Sequence, residues 1–171
     1  MRAAGDPMIP ETGAHGEKPR SWKGKELILV VEDSRMIAHF LKRLLESEGF
    51  DVLIASDGLG GLEAARRDQP GLVVTDYHMP RMHGLEMVKA LRTDPLTRDI
   101  AILMLSGNDD ANDKAQALAA GADEYLVKGD QHQLVGRIKD LLARSRQCDR
   151  VDAREAAQTP SCERPGRQPA E

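Results

Sequence analysis

The chain has 171 residues and no apolar run approaching the roughly 20 residues a helix needs to cross a bilayer. A transmembrane helix is therefore excluded. The sequence does not open with a basic segment, an apolar stretch and a small-residue cleavage site, so no secretory leader is expected. Cysteine is scarce. Cys148 and Cys162 both lie in a polar stretch; they can pair but make no disulfide framework. A formal net charge of -4 leaves no basic excess to hold nucleic acid. These absences make a cytoplasmic protein the default. Both ends also lack a repeating apolar face. Residues 1–23, rich in proline and glycine, read as a flexible tail with a solvated His15, and Trp22 is expected over an edge of the fold. Residues 146–171 alternate charges with prolines and read as a disordered tail. One domain, residues 24–145, remains. No second module is visible after Ala143, so any signal is expected to be presented on the domain's own surface.

Within that domain, short apolar runs alternate with amphipathic stretches. The runs at 26–31, 50–55, 71–76, 100–105 and 124–127 are nearly continuous, as suits strands buried on both faces. Helices are predicted at 34–48, 57–67, 85–93, 109–120 and 131–143. Their expected inward faces begin with Ile37, Phe40, Leu41, Leu44 and Leu45, with His39 on the surface. Leu59, Leu62 and Ala65 follow, then Leu85, Val88 and Leu91. The fourth helix offers only Ala115, Leu118 and Ala119; the fifth has Leu134, Val135, Ile138, Leu141 and Leu142. Asp33 or Ser34 can cap the first helix, and Gly49 ends it. Gly58, Gly60 and Gly61 are expected to weaken the second. Strictly alternating strands and helices with short connections imply an α/β fold, with right-handed crossovers putting helices on both faces of a parallel sheet.

The strand ends carry the chemistry. The third predicted strand runs into Asp76, the first into Glu32 and Asp33, the fourth into Ser106 and the fifth into Lys128. In an open parallel sheet the reactive crevice lies beyond the carboxyl ends of the strands. Converging carboxylates raise one another's pKa unless a cation joins them, and an all-oxygen set suits magnesium. Aspartate can accept a phosphoryl group covalently, and a metal ion with a lysine would neutralise its oxygens. Each residue alone has an ordinary reading: an acidic pair caps a helix, a strand-end lysine is solvated, Ser106-Gly107-Asn108 is a turn, and Tyr125 is either core or an aromatic that moves with the site. The joint pattern carries the inference.

The motifs Leu-Val-Val-Glu-Asp-Ser (29–34), Val-Val-Thr-Asp-Tyr-His-Met-Pro (73–80), His-Gly-Leu-Glu (83–86), Met-Leu-Ser-Gly (104–107) and Gly-Ala-Asp-Glu-Tyr-Leu-Val-Lys (121–128) resemble the receiver domain of two-component response regulators, here of a stand-alone type. The resemblance covers residues 25–144. It implies a flavodoxin-like doubly wound sheet of five parallel strands, order 2-1-3-4-5. It implies that Asp76 accepts phosphate from a sensor histidine kinase or a histidine phosphotransfer protein, with Mg2+ as cofactor. Asp33 would touch the metal directly, Glu32 mainly through water, and His78 through its backbone carbonyl. Ser106 and Lys128 match the phosphoryl-contacting hydroxyl and lysine, and Tyr125 the rotating switch aromatic. The domain would catalyse its own phosphorylation and dephosphorylation while acting mainly as a switch.

Departures from the pattern are His83, where aspartate is common, His78 at a variable position beside the phosphoryl group, and Gly129, where proline usually follows the lysine. Without that proline, the Lys128-Gly129 bond is expected to be either trans with a shifted lysine or a strained cis bond costing roughly 2.5–4 kcal/mol. The alternatives are a pseudo-receiver interaction module, a phosphate sink or relay intermediate, a flavin-binding flavodoxin and a metal-dependent hydrolase. The pseudo-receiver usually lacks residues kept here, and the acidic loop after the first strand would repel a flavin phosphate. No substrate lid supports the hydrolase. The expected output surface is the face of the fourth helix, fifth strand and fifth helix, for a protein target or self-association, without direct nucleic-acid contact or membrane insertion.

Overall fold

Strands with no polar face need cover on both sides, and this chain supplies it. The computed structural model describes residues 21–22 and 25–155, with side chains from 26 to 145. The short strand β1 (Ser21–Trp22) pairs antiparallel with the start of β2 (Lys25–Val31). Then follow α1 (Arg35–Ser47), β3 (Asp51–Ala55), α2 (Gly58–Asp68), β4 (Leu72–Asp76), α3 (Gly84–Thr93), β5 (Ala101–Ser106), α4 (Ala111–Ala120), β6 (Glu124–Val127) and α5 (Gln131–Glu155). The parallel pairings are β3 with β2, β2 with β4, β4 with β5 and β5 with β6. Counting the parallel strands alone, this is the expected flavodoxin-like order 2-1-3-4-5.

Alternate residues of each strand feed two cores. Ile28, Val30, Leu72, Val74, Leu103 and Leu105 meet Leu41 and Leu45 of α1 and Leu134 and Ile138 of α5. Leu29, Val31, Val73, Ile102 and Met104 meet Ala64 and Ala65 of α2, Met87, Val88 and Leu91 of α3, and Ala117 of α4. Every residue of β4 and β5 is buried. Asp76 and Ser106 therefore end strands that have little freedom to move.

The structure corrects several inward faces. In α1 the buried residues are Ala38, Leu41 and Leu45, while Phe40 is 47% exposed. One residue is about 100° round a helix, so Phe40 cannot share the face that Leu41 presents to the sheet. Leu59 likewise faces outward. The glycines of α2 do not simply weaken it: a Cβ on Gly61 would come within 2.8 Å of Val31, so the bare backbone brings the helix against β2. In α4 the fully buried residue is Ala117, whereas Ala115, Leu118 and Ala119 are exposed. Val135 of α5 is only half-buried.

Two boundaries also differ from expectation. Ser21 and Trp22 pair with β2 rather than belonging to a free tail. Helix α5 runs on to Glu155, past the end of its apolar pattern. Helical hydrogen bonds are local, and residues 144–155 contain no glycine or proline to interrupt them. The expectations for residues 1–20 and 156–171, for the side chain of Trp22 and for a Cys148–Cys162 pair lie outside the described residues. No helix among the described residues is long and apolar enough to cross a membrane.

Candidate functional site

The site forms where β2, β4, β5 and β6 end. β2 continues into Glu32 and Asp33, and the Glu32 N–H donates to the Ala55 carbonyl, which holds this corner to β3. Glu32 is buried, Asp33 is exposed and Asp76 is buried. One carboxylate oxygen from each of the three lies within 4.8 Å of the others. Among the described residues this is the acidic grouping able to hold a cation, and all-oxygen donors are the preference of a hard divalent ion.

Lys128 closes the site. Its Nζ lies 2.8 Å from Glu32 Oε2 and 3.0 Å from Asp76 Oδ1. The Lys128 N–H donates to the Ser106 carbonyl at 2.7 Å, so β5 and β6 deliver hydroxyl and ammonium to the same edge. The Lys128-Gly129 bond is trans, and Gly129 has a φ of 134°. Positive φ takes the place that the usual proline would hold, and the lysine still reaches the carboxylates. Burial pushes the Lys128 ammonium down, but its hydrogen bonds and charge contacts with Glu32 and Asp76 outweigh this and hold it above its ordinary range. Burial is also the main influence on Glu32. Together with repulsion from Asp76 it lifts the carboxyl above the usual range, despite the Lys128 bond.

The Asp76 carboxylate is held by its neighbours. The Tyr77 N–H donates to Asp76 Oδ1 and to the Leu105 carbonyl, both at 2.8 Å. Gly84 sits against the Asp76 main chain: a Cβ there would be 2.2 Å from the Asp76 carbonyl oxygen. The Gly84 N–H donates to the Tyr77 carbonyl, pinning the start of α3 to the end of β4. His83 precedes α3, and its N–H donates to Glu86 Oε2 of the first turn at 3.1 Å. His78 is exposed, with its ring edge-on to Tyr77 at 4.7 Å between centroids.

Ser106 is fully buried and its Oγ accepts from the Asn108 N–H at 3.2 Å. Tyr125 is buried as well, and its hydroxyl donates to the Asn108 carbonyl at 2.9 Å. The aromatic is therefore both core and a hold on the loop that Ser106 begins. Tyr77 does the same one step further along: its hydroxyl donates to Asp113 Oδ1 at 3.1 Å. Burial and then this carboxylate push the Tyr77 phenol above its ordinary range.

The structure thus brings Glu32, Asp33, Asp76 and Lys128 together, ties Ser106 and Tyr125 to the loop at Asn108, and sets His78 against Tyr77. Tyr77 and Gly84 were missed as participants. Gly84 stood in a quoted motif, but only the close approach of two backbones reveals its part; nothing in the sequence signals that Tyr77 reaches Asp113.

Comparison with known proteins agrees with this geometry. Residues 28–139 match the family model described as the response regulator receiver domain. The chain is 38% identical over 127 residues to the response regulator MprA of Mycobacterium leprae, covering 74% of this chain and 55% of that protein. It is 40% identical over 119 residues to the alkaline phosphatase synthesis transcriptional regulatory protein PhoP of Bacillus subtilis, covering 69% and 49%. The chain thus spans about half the length of these curated relatives. The solved receiver domain of the Francisella response regulator 1452 superposes with a TM-score of 0.67 at 30% identity, covering 71% of this chain and 99% of that one. Chemotaxis protein CheY4 of Vibrio cholerae gives a TM-score of 0.65 at 30% identity, covering 68% and 98%. With its sheet order, its acidic strand ends and a family match over most of its length, the chain belongs to the response-regulator receiver family.

Proposed function

We propose that the domain, residues 24–145, is a phosphoacceptor switch in which Asp76 takes a phosphoryl group from a phosphohistidine of a sensor kinase or histidine phosphotransfer protein. The observation that carries this is the environment of Asp76. Tyr77 N–H and Lys128 Nζ both engage Oδ1, beside Glu32 and Asp33. Oδ2 is left to attack phosphorus. The new O–P bond forms as the P–N bond to the donor imidazole breaks, and the leaving nitrogen keeps the bonding pair.

Glu32, Asp33 and Asp76, with the His78 backbone carbonyl, are the groups that would hold Mg2+. Bound there, the ion supplies positive charge for the phosphoryl oxygens. Lys128, in contact with Glu32 and Asp76, adds a second positive charge, and the buried Ser106 hydroxyl, which only accepts from Asn108, keeps its proton to donate to a phosphoryl oxygen. The same groups support dephosphorylation, with water as acceptor and His78 at the exposed rim. Movement of Ser106 and Tyr125 would carry the change to the face of α4, β6 and α5, where a protein target or a second copy reads it.

The test is intact-mass measurement after treatment with a small phosphodonor and Mg2+. One added phosphoryl group is expected in the wild type and none in Asp76→Asn. The same addition in Asp76→Asn would refute the assignment. Mg2+ titration of Asp33→Ala should show clearly weaker binding; unchanged affinity would remove Asp33 from the ligand set.

A further inference from the structure

Helix α4 is lightly anchored. Ala117 is its only fully buried residue, and Leu118, its largest apolar side chain, is 41% exposed. Its first turn is nevertheless fixed. Asp110 caps it by accepting from the N–H groups of Asn112 and Asp113, and Asp113 accepts from the buried hydroxyl of Tyr77. Tyr77 is in turn fixed at the other end. Its N–H binds the acceptor carboxylate and the β5 carbonyl, and its own carbonyl receives the Gly84 N–H. A single residue therefore spans from Asp76 to the start of α4.

We propose that the Tyr77–Asp113 hydrogen bond is a tether that holds α4 in the unphosphorylated arrangement and must be released or strained when the helix shifts. It acts in parallel with the Tyr125 bond to Asn108, which holds the preceding loop. Tyr77 is a positioning residue, since only its N–H meets the Asp76 carboxylate and its hydroxyl is engaged by Asp113. The physical reason is a mismatch of mobility. The backbone of Tyr77 is bonded to β5 and to α3 and cannot follow α4, whereas the loop from Ser106 to Asp110 is held by Ser106 and Tyr125 at single points. Movement of that loop towards a phosphoryl group moves Asp113 relative to Tyr77. A bond present in only one of two states biases the equilibrium towards that state.

This inference rests on Asp76 being the phosphoacceptor, so the experiment separates the two. Amide hydrogen exchange over residues 111–117 is measured first without any phosphoryl mimic. Tyr77→Phe and Asp113→Ala should each accelerate exchange by about two- to tenfold, the range for one hydrogen bond. The double variant should be no faster than either single one, because both remove the same bond. Asp113→Asn keeps an acceptor oxygen and should remain close to wild type. Beryllofluoride with Mg2+ is then titrated as the phosphoryl mimic. Tyr77→Phe should bind it more tightly than wild type by a similar factor. Unchanged exchange, additive effects in the double variant, or unchanged mimic affinity in Tyr77→Phe would each overturn the tether. Failure of the wild type itself to bind the mimic would instead sink the phosphoacceptor reading, and the coupling with it.

Discussion

Replacing Gly84 by alanine tests the placement of Asp76 without removing any polar group. The added Cβ would stand 2.2 Å from the Asp76 carbonyl oxygen and 3.2 Å from both the Asp76 carbonyl carbon and Tyr77 Cα. Carbon and carbonyl oxygen approach no closer than about 3.3 Å even in favourable C–H···O contacts. Either α3 or the end of β4 must therefore move by about 1 Å. The neighbouring atoms are backbone and cannot rotate aside. Overpacking of this kind costs about 1–3 kcal/mol, which urea unfolding should detect. The same displacement reaches Asp76, whose carboxylate is set by Tyr77 N–H and Lys128. A misplacement near 1 Å can cost about 100-fold in rate, so phosphorylation by a small donor, followed by intact mass, should slow by one to two orders of magnitude, about 10- to 100-fold. Gly136→Ala is the matched control. That position is within α5 with no atom within 4 Å of the new Cβ, and alanine should stabilise by about 0.5–1 kcal/mol while leaving the rate unchanged. Wild-type stability and wild-type rate in Gly84→Ala would refute the steric reasoning. Lost stability with an unchanged rate would refute only the link to the position of Asp76.

Gly129→Pro should destabilise the domain rather than stiffen its loop. Proline holds φ near -65°, far from the 134° found here, and backbone strain of this type costs about 1–3 kcal/mol. Lys128 should lose its place between Glu32 and Asp76, so phosphorylation falls as well; equal unfolding midpoints for variant and wild type would contradict this. Asp57 caps α2, and the Gly60 N–H holds its carboxyl below the usual range, with burial opposing and the Arg81 guanidinium assisting. A carboxyl whose folded pKa is lowered stabilises fully above its unfolded value of 3.8, and that contribution is lost as pH falls through the lower folded value. Asp57→Ala should therefore cost about 1 kcal/mol near neutral pH, and its difference from wild type should narrow on acidification below 3.8. A difference that does not change with pH would argue that the Asp57 charge has no part in capping.

The α/β class and the reactive edge were legible because both follow from local patterns, whereas the sheet order came only with the resemblance to receiver domains. Uninterrupted runs such as residues 71–76 and 100–105 can only be buried strands when they alternate with amphipathic helices, and short connections then restrict the topology. A carboxylate at the end of such a run falls on the crevice edge. This is why Glu32, Asp33, Asp76, Ser106 and Lys128 could be named before their distances were known. Inward faces were less legible where the pattern was weak. Helix α4 offers alanines all round, so the sequence pattern cannot select Ala117 over Ala115 or Ala119; packing against the sheet does.

What the sequence by itself determined is the set of elements, their order and the chemical groups at the strand ends, since these depend on periodicity and on residue type. The tertiary structure alone decided which atoms meet. Lys128 reaches both Glu32 and Asp76 because four strands end in register around them. Gly84 is required because two main chains converge on one point. Tyr77 and Asp113, 36 residues apart, share a hydrogen bond because α4 begins over the end of β4. Contacts of that range carry no local signature: each partner alone is compatible with many surroundings, and only the folded sheet brings them within bonding distance.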